Sequence, residues 1–527
     1  MNEYPFWVLI LSIFTMKRLI FPLCGLFSAT FYGQIAPDTY MFEEMYALYE
    51  ASPIFLSEAP VDNFTFSTLY LHHKEGDLHL AQEAKEQTDF GLRSYGFYQH
   101  KRINFFGKIN LQRIYQKDKA WTLSEEEVQP NGLMPDPHYF AVSRPAPWVN
   151  QQYHIFGGAG IPIYKQLWDM TLSTRINYEE KFRENYDPRP KTNHNELYFA
   201  AQTAFRLLDK HKIALSGEYG YNKASNKIKF SDQEGQTPNN FTKYNRWQLG
   251  LGTSQLPPNS HYRRNNDYYG FALGYHFTTD KHKLLAEGSY RNTLTHTYRN
   301  DNDSEFDEDI LARLYEDTFL AKIHYINQLK KEQLLSLSLI ASDKQATNRL
   351  MQRQGRNYRS YQEDIAFSAN LLKQLGETHR ELALEAVYQG AYQKDVTAKT
   401  LTDHSSLALS LFWAKGYELD HFVLRPSLKA SLISPLYNKL INENEDYHKA
   451  YNPDDYAART LRLFYQEVIY PDYAYFDSTR YLLDLGIDLK KRLSKGTQLI
   501  TSLHSTYHTA FKGVERYGAT ISISLLK

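Results

Sequence analysis

Segments of about ten residues with alternating apolar and polar side chains recur along most of this 527-residue chain. Between 481 and 490, for example, Tyr481, Leu483 and Leu485 share one face, while Asp484 and Asp488 share the other. Alternation with period two indicates a strand with one apolar and one polar face. Strands of soluble sandwiches average about five or six residues, whereas a tilted membrane strand needs about ten. The pattern therefore predicts a transmembrane β-barrel.

Composition agrees with an alternating barrel wall. Aromatic residues make up 15% of the chain, with Tyr 42 and Phe 30, yet the mean hydropathy is −0.57. Membrane barrels combine these properties, because lipid-facing apolar residues alternate with polar lumen residues, and aromatic girdles lie at both interfaces. Lys+Arg 60 balances Asp+Glu 60, so the basic surface typical of a nucleic-acid-binding protein is not expected.

The lengths of the connections predict the number of strands. Barrels of this class alternate short turns at one end with longer loops at the other. Short joins are expected near 99–102, 161–164, 208–211, 278–281, 329–331, 373–377, 415–418 and 493–495. Longer polar stretches lie between them at 117–150, 180–193, 225–265, 299–313, 348–357, 395–401 and 434–477. We expect one all-β domain, an antiparallel barrel of about eighteen strands within a range of about fourteen to twenty.

One stretch leaves the strand count open. Trp247 to Leu251, inside the long segment 225–265, has the composition of a further strand. A lone extra wall strand would break the even parity of the barrel. We therefore interpret this stretch as one arm of a hairpin inside an outer loop.

The N-terminal residues predict export. Lys17 and Arg18 precede a short apolar run, and small residues follow it, so residues 1–33 are expected to be a signal peptide whose true start is Met16. Residues 34–61 are expected to be a periplasmic segment with a short helix over 41–52, either capping the mouth or forming a partial plug. The barrel then spans 62–527. Cys24 is the single cysteine, so disulfides and thiolate metal sites are not expected.

Charged residues on the inward faces are the main candidate functional residues. Charge at these positions must face water or a partner. They are Asp169, Arg175, Arg206, Glu218, Glu287, Arg291, Glu385, Arg425, Lys429, Asp484 and Asp488. Two interpretations remain open: a polar permeation path with charge selection, or a network of salt bridges that fills and stiffens the wall. Under the first, Arg425 and Lys429 are expected to be unpaired cations that favour anions.

The chain contains no motif that indicates an enzyme. His504 and His508 lie four residues apart on one predicted strand, roughly 13 Å, which is too far to share a metal ion. The nucleophile elbow, the phosphate-binding loop, the dinucleotide glycine pattern and the zinc-protease motif are all missing from the sequence. We therefore expect no catalytic residues, metal or cofactor.

Tyrosines in the predicted outer loops are candidates for ligand contact. Tyr437, Tyr447, Tyr451 and Tyr456 lie in the stretch 434–477, which is also rich in Asn, Asp and Pro. Tyrosine combines a flat apolar ring with a hydroxyl group, which suits contact with glycans or with a protein.

The signal ending in Tyr32-Gly33-Gln34, the short helix after it and the Tyr-rich barrel resemble the uncharacterised outer-membrane β-barrels of Bacteroidota. This resemblance implies a bacterial outer-membrane location and partnership with nutrient-uptake systems, and it supplies no catalytic residues. The C-terminal Leu525-Leu526-Lys527 departs from the aromatic ending usual for barrel insertion. Two functions are expected: a channel or transporter for polar solutes, or a closed barrel that serves as a surface platform holding a partner through its loops.

Overall fold

The computed structural model describes residue 54 and residues 63–164, 167–183, 187–229, 246–255, 261–299, 310–330, 332–352, 354–375, 378–444, 461–494, 497–510 and 513–527. In chain order the strands are β1 Asn63–Gly76, β2 Glu86–His100, β3 Ile103–Lys119, β4 Phe140–Ala141, β5 Ala146–Tyr164, β6 Trp168–Arg183, β7 Arg189–Leu208, β8 His211–Lys229, β9 Arg246–Gln248, β10 Ser254–Gln255 and β11 His261–Thr278. They continue with β12 His282–Tyr298, β13 Ile310–Lys330, β14 Gln333–Leu350, β15 Tyr358–Leu375, β16 Thr378–Asp395, β17 Thr400–Lys415, β18 Tyr417–Leu419, β19 Phe422–Asn442, β20 Arg480–Ser494, β21 Thr497–Ala510 and β22 Glu515–Leu526.

Eighteen of these strands form one closed antiparallel wall, as expected from the sequence. Each wall strand pairs with the next one along the chain, and β22 pairs with β1 to close the barrel, for example through Tyr70 opposite Ser522. The wall omits β4, β9 and β10, which form a separate three-stranded sheet. The short β18 pairs only with the beginning of β19.

An apolar belt surrounds the outside of the wall. On β13 the exposed apolar residues run from Leu329 to Phe319, and on β20 Leu485 and Ile487 are more than half exposed. Tyrosines border the belt, and their hydroxyls donate to carboxylates further along the wall: Tyr290 to Asp317 at 2.6 Å is one such pair. The belt on β13 covers the eleven residues 319–329, and a tilted membrane strand needs about 9 to 11 residues to cross the hydrocarbon core. Because β13 continues from Phe319 to Ile310, the wall projects well beyond the belt on that side.

The two ends of the barrel differ in their connections. Two-residue turns such as Lys101-Arg102 and Asp209-Lys210 lie at one end, which we call the turn end. The connections at the other end, the loop end, include the long segment between β3 and β5. The predicted alternation of short joins and longer stretches is found in outline, but the stretch expected at 395–401 is only the four residues 396–399, and the join expected at 415–418 lies at 420–421. Within the described residues no helix has the length and apolar character needed to cross a bilayer.

Three local expectations had different outcomes. Trp247 lies in β9, which forms a hairpin with β10 away from the wall, as interpreted from parity. The expected loop 434–477 is wrong in part, because β19 runs to Asn442 and residues 461–476 are helical. The helix predicted over 41–52 lies outside the described residues, whereas the helix that the structure describes is the one over 461–476.

The helix at 461–476 forms because one stripe of it is apolar. Tyr465–Ile469 make a π-helical turn that leads into the α-helix α1, Tyr470–Phe476, and a proline occupies the first turn of α1. Phe464, Val468 and Phe476 are buried along this stripe. A spacing of three or four residues between buried side chains is the pattern of a helix packed on one face. The tyrosines that suggested a loop by composition thus belong to a packed element.

Candidate functional site

Three segments fold together at the loop end, and we call them the lid. They are residues 120–142 between β3 and β5, the β9–β10 hairpin, and the helix 461–476. β4 joins the first two segments, with Phe140 opposite Trp247. The lid has its own apolar core. Its fully or almost fully buried members include Trp121, Leu123, Phe140, Trp247, Leu249, Phe464 and Tyr465.

The core of the lid continues into the barrel wall. Trp121 packs edge-on against Phe464 with ring centroids 5.4 Å apart, which joins the first segment to the helix. Phe140 packs against Tyr262 of β11 at 4.9 Å, which joins the lid to the wall. Interiors packed in this way exclude water. The lid is therefore a folded layer inside the loop end and not a set of free loops.

Arg264 of β11 is the main polar attachment between wall and lid. Its guanidinium lies 2.7 Å from Glu125, 3.1 Å from Glu126 and 3.2 Å from Asp136, and it also donates to the carbonyl of His138 at 2.7 Å. The Arg264 side chain is 3% exposed. We call this cluster the Arg264 latch. Because all three carboxylates belong to one loop, the latch fixes that loop to a single wall strand.

Other wall strands hold the lid through separate contacts. Lys119 and Lys181 both bind Glu127. Asp395 of β16 accepts from the backbone N–H and the hydroxyl of Thr253 at 3.0 and 2.7 Å. Further contacts reach β14 and β17: Asn348 Nδ2 lies 3.0 Å from His138 Nε2, and His404 Nε2 lies 3.0 Å from the carbonyl of Asn131. Besides β11, the lid is thus held by β3, β6, β14, β16 and β17.

The carboxylates of the lid differ in their protonation. Burial, with a smaller contribution from the neighbouring Glu125 and Asp136 carboxylates, raises the pKa of Glu126 to about 7 against the opposing effect of Arg264. Although burial would raise the pKa of Glu127 as well, Lys119 and Lys181 hold it at about 2. Burial likewise raises the pKa of Asp472 on the lid helix to about 7. Glu126 and Asp472 are thus two lid carboxyls that change charge near neutral pH.

A chamber lined by charged side chains lies in the middle of the lumen. Several of its ion pairs join side chains from strands that are separated by one intervening strand. Arg291 of β12 donates to Glu218 of β8 at 2.6 Å across β11, where Gly270 is opposite both residues. A Cβ atom at Gly270 would lie 2.6 Å from the Glu218 carboxylate, so the missing side chain makes room for the pair.

A second glycine supports a stacked array beside this pair. Tyr198 and Tyr268 stack across Gly220 with centroids 6.3 Å apart. The guanidinium of Arg175 lies 4.5 Å from the ring centroid of Tyr198, and that of Arg291 lies 4.9 Å from Tyr268. The array therefore consists of two stacked tyrosines with a guanidinium group at each end.

The structure places the eleven predicted lumen residues on the face opposite the apolar belt. Ten of them have an oppositely charged or histidine side chain within 4 Å. The pairs are Asp169–Lys212 at 2.9 Å, Arg175–Glu196 at 3.1 Å, Arg291–Glu218 at 2.6 Å, Glu287–Lys322 at 3.8 Å, Lys429–Glu385 at 2.7 Å, Arg425–Asp488 at 2.9 Å and Asp484–His504 at 3.5 Å. For Arg206 no ion pair is present within the described residues, and its Nε is buried without a hydrogen-bond partner there.

The expectation that Arg425 and Lys429 are unpaired is wrong. Arg425 binds both Asp488 and Glu381, and Lys429 binds Glu385. Glu381 and Glu385 lie on β16, beyond the intervening strand β17. The β17 residues opposite them are the small Ala414 and Ser410, which leave room for the long side chains to meet. These two cations therefore contribute no free positive charge to the lumen.

The chamber charges remain in contact with solvent. The side chains of Arg175 and Arg291 are 33% and 41% exposed, and those of Lys429 and Glu385 are 37% and 39% exposed. By contrast, the wall residues Lys181 and Arg264, which bind the lid, are almost fully buried. A hydrated region therefore lies next to a packed one within the same lumen.

The turn end has an apolar layer of its own. Inner-face residues of several strands form it, and all are buried: Phe64, Phe97, Phe106, Leu285, Ile326, Leu334 and Leu372. Ile54, which precedes the first strand, belongs to the same cluster and is 2% exposed. Its backbone N–H donates to the Gln202 side chain of β7 at 3.1 Å. Ile54 thus lies inside the lumen at the turn end.

Sequence reasoning did not find the lid. The signal was present in the tryptophans of segment 117–150 and in the apolar stripe of 461–476. The predicted contact residues Tyr447, Tyr451 and Tyr456 lie outside the described residues. Tyr437 is not in a loop but in β19, where a bulge leaves it exposed on the outer face. Within the described ranges no group of three or more His, Cys, Asp or Glu side chains could hold a metal ion.

Comparisons with known proteins identify a family for this chain and several solved structures with distant similarity. A family model for proteins of unknown function, DUF6850, matches residues 53–526. No curated protein matches the chain. Solved structures that resemble it include BauA, the ferric preacinetobactin receptor from Acinetobacter baumannii, with TM-score 0.38, 7% identity and coverage of 88% of this chain and 80% of that one. The CymD monoaromatic hydrocarbon channel has TM-score 0.31, 10% identity and coverage of 94% of both chains. The copper transporter OprC has TM-score 0.35, 7% identity and coverage of 87% and 80%.

Proposed function

The chain belongs to DUF6850, a family of unknown function, and we propose its function from the geometry of the barrel. We propose that the protein is an outer-membrane conduit for polar solutes and that the lid closes the conduit at rest. The apolar belt supports the membrane location. A closed barrel satisfies every backbone hydrogen bond within the wall, as a bilayer requires. The belt length along β13 and the bordering tyrosines match the hydrocarbon core and its interface.

The observation that carries the proposal is the hydrated chamber beside the packed lid. A barrel that serves only as a support has no need of solvated charges in mid-lumen, because an apolar filling would be as stable or more stable. Solvated charges of both signs instead provide a path that polar solutes can enter. Loops, and not wall strands, form the lid at the loop end, so its displacement would leave the wall intact.

A surface platform is the second candidate, and the Arg264 latch favours it. A lid fixed by a buried ion cluster presents a rigid outer surface to a partner. On this account the barrel never opens, and the chamber charges only stiffen the wall.

Solute entry into proteoliposomes separates the two functions. We would compare the wild type with a lid-opened variant in which residues 124–138 are replaced by a short Gly-Ser linker. The conduit predicts that vesicles with this variant swell in small neutral sugars, while wild-type vesicles swell slowly. Heat-modifiable gel migration would show that both barrels are folded. A folded lid-opened variant that leaves the vesicles impermeable would favour the platform.

A further inference from the structure

Four basic side chains meet on the inner face at the loop end. They occupy the ends of four consecutive wall strands, β20, β21, β22 and β1: Arg480, His508, Arg516 and Lys74. His508 is directly opposite Arg516, and Lys74 is opposite Gly518, two residues further along β22. All four belong to the inward phase of their strands. We call this group the basic corner.

The basic corner is short of counter-charge. Arg480 is 6% exposed, and no carboxylate pairs with it among the described residues. Its guanidinium instead lies over the ring of Tyr475, 4.2 Å from the centroid. Lys74 likewise has no ion pair in the described part of the chain, and the buried Nε2 of His508 has no hydrogen-bond partner there.

One carboxylate reaches the basic corner. Glu83 accepts from Arg516 at 2.8 Å, and Arg516 also donates to the carbonyl of Ala84 at 2.9 Å. Asp89 on the neighbouring strand β2 accepts a hydrogen bond from Gln87, and Asp89 and Glu127 act on Lys74 only through longer-range attraction. Among the described residues, Glu83 is therefore the one carboxylate in direct contact with the basic corner. This contrasts with the chamber, where Arg425 and Lys429 each have carboxylate partners.

A buried cation without a partner is destabilising, because it has lost its hydration. A small oxyanion would restore the balance, since guanidinium and ammonium groups donate short, strong hydrogen bonds to phosphate and carboxylate oxygens. We propose that the basic corner binds the phosphate or carboxylate group of a solute that enters the lumen. This inference rests on the proposed conduit and names the chemical class of its solute as anionic.

The basic corner also contacts the lid directly. Arg480 lies over Tyr475 and, at 6.0 Å, over Phe476, which are the last residues of α1. Phe476 in turn stacks on His404 of β17 with centroids 3.9 Å apart. An oxyanion bound to Arg480 would therefore lie next to the lid helix.

Binding of inorganic phosphate to the full-length protein in detergent tests this site. Calorimetric titration at constant ionic strength would compare the wild type with Arg480→Gln and Lys74→Gln. The matched control is Lys429→Gln, which removes one inner-face cation that already has a carboxylate partner. We expect about tenfold or greater loss of phosphate affinity in the first two variants, since a charged hydrogen bond contributes that much or more. The control should bind phosphate as the wild type does.

Each other outcome of this titration has a definite meaning. If Arg480→Gln fails to show heat-modifiable migration, Lys74→Gln at the half-buried end of β1 decides the matter alone. Equal weakening in all three variants, equal heat with chloride, or no phosphate binding by the wild type would overturn the basic corner. Phosphate binding without solute entry in the lid-opened proteoliposomes would instead overturn only the conduit.

Discussion

Removal of the Arg264 guanidinium should open the lid. In Arg264→Gln, the carboxylates of Glu125, Glu126 and Asp136 remain beside one another without the cation that now lies 2.7 to 3.2 Å from them. Loss of one partner from a buried ion pair is unfavourable by about 3 to 5 kcal/mol. Opening the loop returns these carboxylates to water. The open state should therefore gain roughly a hundredfold to several thousandfold in population relative to the closed state.

Planar-bilayer recording measures this change. Wild-type protein should show rare openings, whereas Arg264→Gln should conduct for a much larger fraction of the time. A compensated variant, Arg264→Met with Glu125→Gln and Asp136→Asn, removes the repulsion together with the cation and should return to rare openings. If Arg264→Gln stays as silent as the wild type while limited proteolysis shows its lid loop released, the lid does not control the lumen.

Three further predictions concern the belt, the lid and the wall. Leu485→Arg should destabilise the barrel by about 2 to 4 kcal/mol in a denaturant titration in lipid, because Leu485 is in the apolar belt, whereas Ser502→Arg on the inner face should be tolerated; equal effects would contradict the assigned faces. Because the pKa of Glu126 is raised to about 7 in the closed lid, closure keeps a proton on this carboxyl between about pH 5 and pH 7, so conductance should increase as the pH rises through that range. Glu126→Gln should reduce the increase, and the lid carboxyl of Asp472, whose pKa burial also raises to about 7, should account for the remainder. Gly220→Val would place a Cβ 2.0 Å from the ring of Tyr268 and should destabilise the wall by about 1 to 3 kcal/mol. Gly217→Val, whose Cβ would have nothing within 4 Å, should leave the stability unchanged. Equal unfolding midpoints for the two variants would refute the stacked array.

The wall was predictable from the sequence because each strand separates lipid from lumen. That separation imposes period-two alternation, which places Leu485 outside and Asp488 inside from their positions alone. Alternation gives the face of a side chain but not its partner. Arg291 pairs with Glu218, 73 residues away and two strands distant, and no local pattern identifies that contact. The same limit explains the wrong expectation for Arg425.

The lid was not predictable, because distant contacts hold it. Arg264 and the lid residue Glu126 are separated by 138 residues, and only the folded barrel brings them together. Tyrosine-rich composition indicated a loop at 461–476, whereas burial against Trp121 makes that segment helical. Tertiary packing of this kind commonly overrides local propensity.

Chemical labelling of the chamber tests most directly whether the lid closes the lumen. In a Cys24→Ser background, Ser289→Cys would place a thiol on the inner face of β12, two residues from Arg291. Val396→Cys, at an exposed position beyond β16, serves as the reference. With a charged, membrane-impermeant thiol reagent, the account predicts that the chamber thiol reacts at least about tenfold more slowly than the reference in the intact protein, and at a similar rate once residues 124–138 are replaced. A chamber thiol that reacts as fast as the reference with the lid intact would contradict a closed lumen.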